Sequence, residues 1–67
     1  MDINIEYLVE IYNQLYDYMI TNKMDKKTLF EICYFMENIK MLIDKCNTLS
    51  AEINNIKINY SLIRSKL

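Results

Sequence analysis

The sequence predicts an all-α protein: an antiparallel helical hairpin whose second helix is long and coiled-coil-like, with a three-helix bundle broken near residues 47–50 as the alternative. Three observations carry this. Apolar residues recur at steps of three and four, the spacing that lines one face of a helix. Glycine and proline are both absent from the 67 residues, and without glycine tight hairpin turns that need positive φ fall to Asn or Asp, which disfavours an all-β fold. No stretch of comparable strength suggests a strand.

The first helix is expected over about residues 3–21. Asp2 stands where a cap belongs, and Glu6 and Glu10 lie near the positive end of the helix dipole. Ile5, Leu8, Tyr12, Leu15 and Met19 form the apolar stripe, flanked by Val9 and Tyr16 on one side and Ile11 and Tyr18 on the other. Glu6, Glu10, Asn13, Gln14 and Asp17 gather opposite, so the helix is amphipathic with a face wide enough to touch more than one neighbour.

Thr21-Asn22-Lys23-Met24-Asp25 is the clear break. Asn22 suits the left-handed conformation that ends a helix, and Asp25 suits the cap of the next. Met24 and Leu29 are spaced as a hydrophobic staple around that cap, while Thr28 with Glu31 offers a competing capping box. Either start turns the chain back on itself, and so short a connection lays the two helices side by side.

From Leu29 to Leu67 the apolar residues keep a heptad register. With Leu29, Met36 and Ile43 at position a, Ile32, Ile39, Cys46, Ile53, Tyr60 and Leu67 all fall at d. Past Cys46 the a positions turn polar at Ser50, Lys57 and Arg64, and the stripe moves to d and g, with Leu49, Ile56 and Ile63 beside the d residues. A continuous second helix over 26–67 with a slipped stripe is the preferred expectation, because d stays in register and no Gly or Pro enforces a stop. The alternative is a loop at Asn47-Thr48-Leu49-Ser50, with Ser50 capping a third helix.

Residues 1–67 are read as a single helical domain, and a chain this short buries only about 60% of its unfolded surface, so an isolated core is marginal. Cys33 and Cys46 are thirteen positions apart, too far to bridge within one helix, and are expected to be small buried hydrophobes. With no histidine, no zinc pattern exists and no metal is expected. Oligomerisation remains as the source of stability. On a continuous second helix, Leu49, Ile53, Ile56, Tyr60 and Ile63 would extend beyond the reach of the first helix, so this row is assigned to the interface of a homodimer.

The net charge is −1, which argues against the phosphate neutralisation that drives nucleic-acid binding. Charge is nonetheless uneven. Residues 1–22 carry Asp2, Glu6, Glu10 and Asp17 against no Lys or Arg, and residues 48–67 carry Lys57, Arg64 and Lys66 against Glu52, so the first helix and the last segment are expected to attract. No apolar run approaches the roughly 20 residues that span a bilayer, and no cationic start with an apolar core marks a signal peptide. A soluble, cytoplasmic protein with reduced cysteines is expected, with no membrane association.

No constellation looks catalytic. The commonest general base is missing, no glycine-rich loop cradles phosphate, and a chain of this size leaves little room for a water-excluding pocket. The expectation is a non-enzyme without cofactors. Six tyrosines point elsewhere, because tyrosine offers large contact area with a polar tip where proteins meet. Tyr7, Tyr18 and Tyr34 fall toward edges or outer faces and join the expected interface, with Phe30, Met41, Ile58 and Leu62 as further apolar groups left wet. The expected function is a small interaction module that self-associates and binds a partner protein, as an adaptor, small chaperone or phage- or plasmid-type inhibitor.

The hairpin followed by Met41-Leu42-Ile43-Asp44 resembles the small sporulation aspartyl-phosphate phosphatases, whose second helix carries a Ser-Gln-Glu-Leu-Asp signature ahead of a Leu-Ile pair. Met36-Glu37-Asn38-Ile39-Lys40 stands in that place. The residues that would carry the phosphatase role are absent, and what the resemblance implies is the alternative function, a divergent hairpin regulator of a signalling enzyme such as a response-regulator phosphatase. Size and hairpin shape also resemble the small helical co-chaperones of type III secretion needle subunits, by class and without a motif.

Overall fold

A computed structural model describes residues 3–46 and 49–66. Among them the chain forms three α-helices and no strand: α1 (Ile3–Thr21), α2 (Lys26–Asp44) and α3 (Ser50–Lys66). The expected caps at Asp2, the turn residues Asn47 and Thr48, and the last d position at Leu67 lie outside the described residues.

The break between α1 and α2 follows from local hydrogen bonding. The Thr21 hydroxyl donates to the Asp17 carbonyl at 2.7 Å, and the Asn22 side-chain amide donates to the Tyr18 carbonyl at 3.2 Å. The Asn22 backbone N–H also reaches the Tyr18 carbonyl, at 3.0 Å, so both side chains bond back onto the last turn as local i→i−4 donors. Asn22 does not take the left-handed conformation expected of it, since Cys46 is the positive-φ residue among those described; its side chain folds back onto the Tyr18 carbonyl instead. Asp25 is extended (φ −72°, ψ 164°), and its carboxylate accepts the Thr28 backbone N–H at 3.1 Å. The hydrogen bonds from Thr28 hold the Asp25 pKa below the ordinary carboxylate value. The competing capping box at Thr28 is not used, because α2 already begins at Lys26.

The expected continuous helix over 26–67 is corrected. The second helix ends at Asp44, where the backbone N–H of Lys45 still reaches the Met41 carbonyl at 3.1 Å but that of Cys46 falls back to Ile43, also at 3.1 Å. Cys46 then turns left-handed with φ 50°, the conformation that commonly terminates a helix. A straight helix of some 40 residues would measure roughly 60 Å, whereas the longest extent of the molecule is 33 Å.

The three helices form a bundle-like body around one core. Leu8, Ile11 and Leu15 from α1, Ile32, Phe35, Met36 and Ile39 from α2, and Ile53 and Ile56 from α3 are buried together. Of the expected packing row, Leu8, Leu15, Ile32, Met36 and Ile39 are central, whereas Tyr12, Met19 and Ile43 sit half-buried at the margin. Alongside, α3 touches both other helices: the Tyr60 hydroxyl donates to Gln14 Oε1 at 2.5 Å, and Lys66 Nζ meets Glu31 Oε2 at 3.2 Å. That ion pair reaches α2 rather than acidic α1. Toward α1, Lys57 lies 5.5 Å from the centre of the Tyr7 ring, and within α3 Arg64 lies 5.9 Å from that of Tyr60, where aromatic faces attract cations.

Candidate functional site

The residues expected at an interface divide by position. Ile53 and Ile56 are buried inside the chain's own core, and Tyr60 and Ile63 are half-buried against it. Their burial comes from α1 and α2, so the row gives no length argument for a second subunit. Leu49, just ahead of α3, is exposed. Tyr7 and Tyr18 are half-buried at the edge of α1. Partial burial, then the charges of Tyr60 and Glu10, raise the Tyr7 pKa above the ordinary phenol value.

Tyr34 stands apart. It is 74% exposed, and Phe30, one turn earlier on the same helix, is 76% exposed. Core residues of α2 at Ile32, Phe35, Met36 and Ile39 occupy the opposite side of the helix, so Phe30 and Tyr34 lie on its outer side, with Tyr34 toward α3. Lys26, Leu29, Phe30 and Cys33 line an open, largely apolar hollow of about 460 Å³ on this side. Both cysteines are exposed, against the expectation of burial. For Cys33 the reason is its place beside Phe30 on the outer face; for Cys46 it is the turn that carries it off the end of α2.

Toward α3 the outer surface continues in a groove where Tyr34 and Asn38 face Asn59 and Leu62. Leu62 and Ile58 are also exposed. A separate cleft of about 500 Å³ between α1 and α3 is lined by Gln14, Leu15, Tyr18, Tyr60 and Arg64. Its polar groups are partly engaged with one another: Tyr60 bonds Gln14, Gln14 Nε2 reaches Glu10 Oε1 at 3.3 Å, and Arg64 rests on the Tyr60 ring. No group of three or more His, Cys, Asp or Glu side chains among the described residues is placed to hold a metal ion. No described helix is long and apolar enough to cross a membrane.

No family model, curated protein or solved structure matches this chain. What the surface offers chemically is contact: aromatic rings and aliphatic side chains held on rigid helices, with lysines and carboxylates around them. Sequence reasoning assigned Tyr34 to the interface and named Phe30 among the wet residues. It did not single out the Phe30 and Tyr34 side as one face, because heptad assignment followed the stronger, buried stripe.

Proposed function

We propose that this chain is a non-enzymatic protein–protein interaction module that self-associates and binds a protein partner through its exposed aromatic face. The observation that carries the reading is the exposed placement of Phe30 and Tyr34 on the side of α2 away from its core residues. Folding gains nothing from two large rings there. Burying each on a partner is worth about 1.5–3 kcal/mol of transferred apolar surface, and aromatic anchors of this kind dominate the energetics of protein interfaces. Adaptor, small chaperone and inhibitor are roles such a module fills.

The test is stoichiometric capture with the purified chain on a resin, comparing wild type with Tyr34→Glu, alongside light scattering of the free protein. The expected outcome is a partner retained at fixed stoichiometry by wild type and weakened by Tyr34→Glu while helicity is unchanged. A wild type that retains nothing and stays monomeric at high micromolar concentration rules the reading out.

A further inference from the structure

The outer face of α2 carries a second heptad stripe, independent of the buried one. Lys27, Phe30, Tyr34, Glu37, Met41 and Asp44 follow one another at steps of three, four, three, four and three, and every one of them is exposed. Steps of this kind make a coiled-coil seam. On an exposed helix face such positions are ordinarily polar throughout; here three of the six are Phe, Tyr and Met, with Met41 47% exposed.

The order of residues along the stripe is self-complementary when read backwards. An antiparallel partner places Lys27 opposite Asp44, Phe30 opposite Met41, and Tyr34 opposite Glu37, and the two-fold axis generates each pairing twice. The outermost layers join opposite charges, the next are apolar on apolar, and the central ones set a phenol O–H against a carboxylate that accepts it. A parallel partner would instead stack Lys27 on Lys27, Glu37 on Glu37 and Asp44 on Asp44, repulsion at half the layers. Charge pattern thus selects both the occupant and its direction. The open hollow lined by Lys26, Leu29, Phe30 and Cys33 flanks the layer at Phe30, leaving space for the long, unbranched side chain of a methionine.

We infer that the outer face of α2 is a two-fold symmetric, antiparallel dimer interface whose occupant is α2 of a second copy of this chain. An isologous contact of this type closes on itself and leaves no free face to propagate. The inference rests on the interaction reading above and gives its self-association a surface and an orientation. It also moves that surface from the α3 row of Leu49, Ile53, Ile56, Tyr60 and Ile63 to the back of α2.

Two measurements test it. Sedimentation equilibrium should show a wild-type dimer at micromolar concentration, and Phe30→Glu should weaken it by about tenfold or more, since placing a charge in both apolar layers costs more than about 1.4 kcal/mol. Helical circular dichroism of Phe30→Glu should be unchanged because Phe30 does not enter the core. Orientation is read in a background of Cys33→Ser with Cys46→Ser. An equimolar mixture of Lys27→Cys and Asp44→Cys chains should oxidise to the mixed disulfide, and neither chain should bridge to itself. Antiparallel geometry sets like positions roughly 25 Å apart along the axis, well beyond the roughly 7 Å limit between bridged Cα atoms. A monomeric wild type overturns the inference, while the interaction reading falls only if the capture experiment also fails. A wild-type dimer that is indifferent to Phe30→Glu, or that forms Lys27→Cys homodimers in preference to mixed ones, overturns it too and leaves self-association to another surface.

Discussion

At Cys46 one residue decides the architecture. Its left-handed backbone (φ 50°) turns the chain out of α2, and for an L-residue with a Cβ that conformation costs roughly 1–2 kcal/mol. Glycine ordinarily fills such a position, but the chain has none. Cys46→Gly should therefore stabilise the fold by up to about 1 kcal/mol, the relieved strain being partly offset by the larger backbone entropy of an unfolded glycine. For a domain of this size that is a rise of about 4–8 °C in melting temperature. Cys46→Ala keeps the Cβ and should melt as wild type does, so a glycine variant no more stable than the alanine one would show that the turn holds no strain. This residue also explains why the break was hard to see in the sequence. Asp25 was legible as a cap because its carboxylate has a specific bond to make, and it makes it to Thr28. Cysteine carries no such preference for a left-handed turn.

At the scale of elements, periodicity reports which face of a helix is apolar and is silent about what covers it. The row at Ile53 and Ile56 was read correctly as a face that needs burial, but the cover was assigned to a second subunit where the structure places α1 and α2. The d register that runs unbroken from Ile32 to Tyr60 made one helix look sufficient. Two helices that serve the same core can keep that register across a turn just as well. Ile11 and Phe35 are buried although neither lay on the main stripe, because a helix packed against two neighbours buries an arc wider than a single seam. Ile53→Ala and Ile56→Ala should each cost about 2–5 kcal/mol, as truncations of buried side chains do, and the loss should not depend on protein concentration. Ile58→Ala and Leu62→Ala, on the exposed side of α3, should stay within about 0.5 kcal/mol. Chemical denaturation of the four variants at two concentrations checks the assignment; a cost at Ile53 and Ile56 that vanishes on dilution would return them to an intermolecular interface.

The whole molecule should fold as one unit or not at all, because buried area is scarce. Small domains hold only a slim surplus of burial over conformational entropy, and here nine buried side chains spread over three helices make the entire core of those described. Polar ties add little. The ion pair between Lys66 and Glu31 joins side chains that are 60% and 40% exposed, and exposed pairs are worth about 0–1 kcal/mol before salt screens them. If α3 were only an appendage, a chain ending at Cys46 would keep its hairpin. Removing α3 instead strips Ile53 and Ile56 from the core and opens the flank that Tyr60 and Ile63 cover. The residual hairpin then falls below the size at which a hydrophobic core sustains itself. The 1–46 chain should accordingly lose its cooperative thermal transition and much of its helical circular dichroism, and a peptide of residues 49–66 added in trans should restore part of both. A truncated chain that melts cooperatively near the wild-type temperature would mean that α1 and α2 are self-sufficient and that α3 is free to serve another partner.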